Sequence, residues 1–322
     1  MTVPFGLLIV KKPIGITSHD AVARVRNRFQ WKVGHGGTLD PLATGVLPLL
    51  INDGTKLAPY MLDRDKAYRF TMKLGERTAT LDREGEVIET RYVPPLTTED
   101  IERNIKVFVG EQQQTPPMFS AVKVKGKPLY KHAHKGEEVE RQARWIHIYS
   151  LDLVNFDSPS ITLDVTCSKG TYIRQLALDI SEALGSTAHV TALERTRSGP
   201  FDLDSAISLD ALLAMTQMEA QKIIVSPTVA LQFMPQIVVD EQTAKCLAQG
   251  KRISLPDDHF PEGKRMAFID TSDRLLAIGE QTGDEIQPVK VFPHQVLQYI
   301  DAITNNNDPH NNQEKHHGNV NE

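Results

Sequence analysis

The spacing of apolar residues changes period several times along the chain, and each change marks an element. Phe5–Val10 is a continuous apolar run closed by Lys11, Lys12, Pro13, Ile14 and Gly15, the pattern of a buried strand that ends in a turn. Thr17 and Ser18 then offer N-caps to a helix with Val22, Val25 and Phe29 on one face and Arg24, Arg26 and Arg28 mostly off it. Period two begins at Tyr68, Phe70, Met72 and Leu74, opposite Arg69, Thr71 and Lys73, which is a strand with one face inward. Thr98 is the expected cap of a helix carrying Ile101, Ile105 and Phe108 and stopping near Gly110. Ile161, Leu163, Val165 and Cys167 alternate in another strand. Ser168, Lys169 and Gly170 turn it into a helix with Thr171 as the expected cap, Ile173, Leu176, Ala177, Ile180 and Leu184 inward, and Gly185 at its end. Strands and helices interleave without a regular βαβ period, which predicts an α+β fold.

Beyond about residue 230 the texture changes. A short helix, Gln242–Ala248, runs to Gly250. Two strand-like runs, Met266–Asp270 and Leu275–Gly279, flank a Thr-Ser-Asp turn, and Val289–Phe292 reads as a last strand, so this part is a small, mostly β module. From Thr304 onward Asn and His dominate and apolar residues almost vanish, the composition of a disordered tail. A length of 322 residues suits two domains. The expected division is 1–232 and 233–302, with a tail at 303–322.

Composition narrows the function. Cys167 and Cys246 are far apart and form no CxxC pair, against a disulfide scaffold or a cysteine zinc site. The first apolar run precedes its lysines, the reverse of a signal peptide, and no run approaches the roughly 20 apolar residues of a membrane span. A soluble cytoplasmic protein is expected. The net charge of −5 argues against a polyanionic partner only until the chain is divided. Residues 1–200 hold 27 Lys and Arg against 23 Asp and Glu, whereas residues 201–322 hold 9 against 18. The acidity belongs to the C-terminal part, and phosphate responds to local clusters. One such cluster is Lys123, Lys125, Lys127, Lys131 and Lys135, with no acid from Ala121 to Gly136 and with Tyr130, His132 and His134 interleaved. It is either a solvated loop or a nucleic-acid grip.

The densest chemistry lies in Gly34–Gly45, where Asp40 stands between Leu39 and Pro41 among small residues that let a partner approach the backbone. A dinucleotide loop is the obvious rival, but Leu39 occupies the third glycine position of GxGxxG, and no GxxxxGK[ST] occurs. By residue type alone Asp40 is a cap in a glycine-rich turn, Tyr68 and Leu193 are core residues, Arg174 is a surface arginine and His35 a turn residue.

The run GHGGTLDPLATGVLP, however, closely resembles the signature of the bacterial tRNA pseudouridine-55 synthases, the TruB family. KKPIGITSHD, DKAYRF, LGERTATLDREG, QTPPMFSAVKVKGKPLY, CSKGTYIRQLALDI and GSTAHVTALERTRSGPF resemble the same family in the right order, over roughly residues 6–205. The resemblance implies a pseudouridine synthase fold with a mixed, largely antiparallel sheet. It implies isomerisation of a tRNA uridine, position 55 of the TΨC loop, without cofactor or metal. By that resemblance Asp40 is the catalytic carboxylate, and Tyr68 stacks on the base and can take its C5 proton. Arg174 pairs with Asp40, His35 holds the nucleotide flipped out, and Tyr172 and Leu193 line the pocket. It makes about 118–145, with Lys123, Lys125 and Lys127, a thumb on the tRNA T-arm. That thumb speaks for a stand-alone enzyme without guide RNA, expected as a monomer, and against a guide-dependent synthase. A structural tRNA-binding protein without chemistry stays a rival, which would lose nothing with Asp40. KRMAFIDTSDRLLAIGEQ and VKVF resemble, less specifically, a C-terminal PUA-type RNA-binding domain.

The residues support the same chemistry independently. A uracil inside a folded loop must be extruded to be worked on, and an extruded base wants an aromatic platform such as Tyr68. A single carboxylate suffices if it acts covalently or as a base toward the sugar, and no second one pairs with Asp40 as in glycosidases. The Arg174 cation is expected to hold the Asp40 pKa down against burial.

Overall fold

The computed structural model describes residues 4–120, 122–124, 126–133, 135–254 and 260–306. It divides into a larger unit, Leu8–Ile51 with Ala58–Ile223, and a smaller one built from residues 4–7, Asn52–Leu57 and the described chain from Ile224. The boundary therefore falls nine residues before the expected 232, for a local reason. Leu7 and Val225 exchange backbone hydrogen bonds at 3.0 and 2.8 Å, and Thr228 Oγ1 donates to Asp273 at 2.7 Å, which ties the chain after Ile223 into the smaller unit.

The larger unit is organised by a ten-stranded sheet. Its main elements are β1 (Gly6–Lys12, from Leu8 onward in this unit), α1 (Ser18–Phe29), β2 (Val33–His35), β3 (Thr44–Ile51), β4 (Lys66–Leu74), β5 (Gly110–Gln114), β6 (Arg144–Asp157), β7 (Ser160–Cys167), α2 (Ile173–Ala183), β8 (Ala188–Ser198) and β9 (Ile207–Ser208). The order is β9-β1-β3-β8-β4-β7-β6-β5, with β2 beside β3. Pairs β1–β9 and β3–β8 are parallel, while β8–β4, β4–β7, β7–β6 and β6–β5 are antiparallel, so the sheet is mixed and largely antiparallel. Phe70 stands opposite Leu163 and Met72 opposite Ile161 across β4 and β7, all fully buried, and α2 covers β4 and β8 with Leu176, Ala177 and Ile180. Burying such side chains stabilises by about 1.5–3 kcal/mol each.

Three helix starts refine the expectations. Thr17 caps α1 in a capping box with Asp20, and Ser18 is turned elsewhere. Thr97, not Thr98, caps the helix Thr98–Ile105, because Asp100 stands three residues on and completes a second box. Tyr172, not Thr171, is the N-cap of α2, and the Thr171 hydroxyl donates to Ser168 O at 3.0 Å.

The smaller unit carries a four-stranded sheet of Gln236–Val238, Arg265–Ile269, Leu275–Thr282 and Glu285–Val291, with helices Glu241–Ala248 and Pro293–Asn306. Phe268, Leu276, Ile286 and Val296 form its core. Residues 303–306 of the expected tail belong to the last helix, and 307–322 lie outside the described residues.

Candidate active site

The loop between β2 and β3 carries Asp40, and three buried groups hold it. Ser18 Oγ accepts from Leu39 N at 2.8 Å and donates to Leu39 O at 3.2 Å. Lys12, fully buried, donates from Nζ to Ile16 O at 2.6 Å, Pro13 O at 2.9 Å and Pro41 O at 3.4 Å. Burial pushes the Lys12 ammonium down to about 8, against the opposing pull of Asp40 and Glu84. Arg195, also buried, donates to Gly37 O at 3.1 Å and Thr38 O at 3.3 Å before the aspartate and to Val46 O at 2.7 Å after it. Gly45 is indispensable here, since at φ +101° an added Cβ would lie 2.2 Å from Arg195 O.

Asp40, Tyr68, Tyr172, Arg174 and Leu193, five residues from four separate stretches of sequence, line one cavity of about 260 Å³. That lies near the lower end of ligand-pocket sizes, about 300 Å³. Arg174 Nε donates to Asp40 Oδ2 at 2.9 Å, and Nη1 lies 3.4 Å from Asp82 Oδ2. Nη1 and Nη2 also donate to Thr80 O and Phe119 O, both at 2.8 Å. The guanidinium and Asp82 are 6% and 5% exposed, whereas 35% of the Asp40 side chain opens to the cavity. Protein crowds the rest of that carboxyl, and burial holds it above the ordinary carboxylate range. Arg174 and Lys12 oppose this, and Asp82 reinforces it. Arg174 lowers the value as expected, but burial, reinforced by Asp82 on the same guanidinium, outweighs it. Oδ1 of Asp40 takes part in no hydrogen bond or ion pair among the described residues.

Tyr68 stands half-buried on β4, opposite Arg195 of β8. Burial pushes its phenol above the ordinary tyrosine range, while the nearby Arg195 cation opposes the rise. Gln114 brackets Tyr172 with both ends of its amide, Oε1 accepting from Tyr172 N at 2.8 Å and Nε2 donating to Tyr172 O at 3.1 Å. Lys66 also lines the cavity. It is buried, satisfied by Met61 O at 3.3 Å, Leu62 O at 2.9 Å and Arg64 O, and burial pushes it down to about 8.

The remaining expected residues lie elsewhere. His35 ends β2 opposite Leu49 and is not among the residues lining the cavity. Burial lowers its pKa, so the ring is neutral at pH 7, and its buried Nδ1 has no hydrogen-bond partner among the described residues. Lys123 and Lys127 are exposed on a small hairpin, Lys123–Val124 against Lys127–Pro128, followed by a helix, Leu129–Ala133. Lys125 lies outside the described residues. The arm is rooted at the cavity, since Tyr130 N donates to Ser120 O at 3.0 Å and Ser120 lines the cavity. Among the described residues no group of three or more His, Cys, Asp and Glu is arranged to hold a metal.

Asp82, Arg195, Lys12 and Lys66 were missed from sequence. Arg195 left a trace, because it follows Leu193 at strand period two and so falls on the inward face of β8. Lys12 left another, since an alternating partner to an exposed Lys11 points inward.

Comparison with known proteins agrees with this geometry. Residues 24–173 match the model of the TruB family pseudouridylate synthase N-terminal domain, and residues 174–231 that of the tRNA pseudouridylate synthase B C-terminal domain. The second match ends before the small four-stranded sheet. The tRNA pseudouridine synthase B of Ralstonia pickettii is 46% identical over 300 residues, covering 89% of this chain and 93% of that protein. Its counterpart in Burkholderia mallei is 42% identical over 291 residues, covering 89% and 96%. A chain of the Cbf5-Nop10-Gar1 complex superposes with a TM-score of 0.72 at 27% identity, covering 90% of this chain and 86% of that one. The chain belongs to the TruB family of tRNA pseudouridine synthases, enzymes that isomerise uridine to pseudouridine.

Proposed function

We propose that this enzyme acts on uridine 55 in the T-arm of tRNA, as a cytoplasmic monomer without guide RNA. In this reading Asp40 is the catalytic carboxylate, Tyr68 the platform and proton acceptor, Arg174 the partner of Asp40, and Tyr172 and Leu193 the walls. The observation that carries the reading is the meeting of Asp40, Tyr68, Tyr172, Arg174 and Leu193 around one nucleotide-sized cavity.

The reaction breaks N1–C1′, forms C5–C1′, releases the C5 proton and returns a proton to N1, so atoms and electrons balance without a co-reactant. Within that frame Arg174 holds Oδ2 of Asp40 and leaves Oδ1 for the nucleotide. The elevated pKa makes Asp40 a stronger base and nucleophile than a solvated carboxylate. Tyr68 offers a ring for stacking, worth about 1–3 kcal/mol per base, beside a phenol oxygen that can assist departure of the C5 proton. Direct, guide-free recognition is supported by the exposed Lys123 and Lys127 on an arm rooted at the cavity, and by the neutral ring that His35 offers to the RNA.

The test is tRNA labelled with tritium at uridine C5. The enzyme should release one equivalent of label per tRNA to water, and mapping should place the product at position 55. Release of none with an intact T-arm would leave a tRNA-binding protein without this chemistry.

A further inference from the structure

We propose that Gln114 is a positioning residue for the reaction, pinning the start of α2 so that Tyr172 meets the cavity and Arg174 meets Asp40. The inference rests on the roles given to Tyr172, Arg174 and Asp40 above.

Three observations carry it. The first is that both ends of one buried amide are spent on a single backbone residue. Gln114, 4% exposed at the end of β5, accepts from Tyr172 N at 2.8 Å through Oε1 and donates from Nε2 to Tyr172 O at 3.1 Å. The second is that α2 does not cap itself. Tyr172 is its N-cap and makes no side-chain cap hydrogen bond. Gln175, at the third helical position, has the type and place to reach back to the N-cap N–H in a capping box. Its Nε2 instead donates to Asp179 Oδ1 at 2.8 Å. The usual N-cap choice of Ser, Thr, Asp or Asn is given up here because this position supplies an aromatic wall of the cavity. An amide 58 residues away in sequence takes over the N-cap N–H. The third is where the same stretch goes next. Phe119 O accepts from Arg174 Nη2 at 2.8 Å, on the guanidinium whose Nε holds Asp40.

The consequence is geometric. The backbone of Tyr172 sets where its own ring enters the cavity wall and, two residues on, where the Arg174 side chain begins. Tyr172 O also accepts from Leu176 N at 3.0 Å, inside the first turn of the helix. Gln114 therefore braces that turn against a strand of the central sheet. Without the brace Leu176, Ala177 and Ile180 still anchor α2 in the core, but its first turn loses two of its bonds. Gln114 is not among the residues lining the cavity, so it acts only through the two residues it places.

The experiment reads single-turnover tritium release with enzyme in saturating excess over tRNA. Under that condition a merely structural role would lower the fraction of active molecules and leave the saturated rate constant unchanged. Gln114→Leu, close in size and unable to bond, should bind tRNA within a few-fold of the parent. It should react about 10²-fold slower, the size of a misplacement effect. Gln114→Glu adds a pH profile. Its carboxylate accepts from Tyr172 N but faces Tyr172 O without a donor, whereas the protonated acid donates to that carbonyl as the amide does. The rate of this variant relative to the parent should therefore climb as pH falls from about 9 to about 6, by up to about tenfold per pH unit. A flat ratio for Gln114→Glu, or a saturated rate constant for Gln114→Leu equal to that of the parent, would overturn the inference. Should Gln114→Leu not fold, Gln114→Glu carries the test alone. Failure of the parent itself to release tritium would instead overturn the reading it rests on.

Discussion

Replacing Asp40 by Asn should abolish turnover without destabilising the protein, and the reason lies in the charge count around Arg174. One guanidinium faces two carboxylates, at 2.9 Å to Asp40 and 3.4 Å to Asp82. Removing the Asp40 charge leaves a matched Arg174–Asp82 pair, and the Asn oxygen can still accept from Nε. The ion pair lost with Asp40 costs little because the buried Arg174 keeps Asp82 as its counter-ion. Relief of a carboxylate that burial already disfavours offsets that loss. The melting temperature of Asp40→Asn should therefore stay within roughly 4 °C of the parent. Arg174→Gln is the contrasting perturbation, because it leaves two carboxylates without a cation and the carbonyls of Thr80 and Phe119 without donors. Breaking a buried pair in this way costs about 3–5 kcal/mol, or roughly 10 °C in a unit of this size. Thermal unfolding of the three proteins, with single-turnover assays and tRNA titrations on the same preparations, gives the comparison. Asp40→Asn should bind tRNA within a few-fold of the parent, because many contacts bind and one carboxylate reacts. A drop in melting temperature for Asp40→Asn as large as that of Arg174→Gln would show that the Asp40 carboxylate is part of the scaffold, and would remove the argument that it is held for substrate.

Tyr68→Phe should slow tritium release by about 10²–10⁴-fold, the usual range for lost general-base assistance, whereas an unchanged rate would leave the ring as a stacking surface only. Lys123→Ala with Lys127→Ala should lower the slope of log affinity against log salt by roughly 0.7–0.9 for each phosphate no longer neutralised. An unaltered slope would mean that these lysines are solvated surface. Between about pH 8, the folded value of Lys12, and its ordinary 10.5, the unfolded chain carries more protons than the folded one, so stability rises with pH across that window. Lys12→Met should remove its share of the rise, read as a flatter course of the urea midpoint, and identical courses would show that the amine does not titrate there.

The strands and helices of the larger unit were legible because their burial is one-sided. Phe70, Met72 and Leu74 alternate with polar residues, and the structure buries them against Ile161 and Leu163 in the face the period implies. Cap positions slipped by one residue at Thr97, where two adjacent threonines differ in which meets Asp100 three residues on. They slipped again at Tyr172, whose side chain makes no cap hydrogen bond while the Thr171 hydroxyl turns back to Ser168 O. The site was legible as a set of residues but not as an electrostatic system. Asp40 and Arg174 could be paired from their resemblance to a family signature, yet the Asp40 shift is set first by burial and then reinforced by Asp82. That residue is 42 positions further along the chain, on a turn whose approach to the guanidinium has no local signal. The same holds for Arg195. Its inward place follows from strand period, but its purpose depends on the register that sets Gly45 on one side and Tyr68 on the other. A strand pairing shifted by one residue would turn the guanidinium to the opposite face, leaving the carbonyls of the Asp40 loop without their donor. The chemistry of the cavity is therefore a property of three strands in register, and sequence reveals such a property only where each strand already carries its own period.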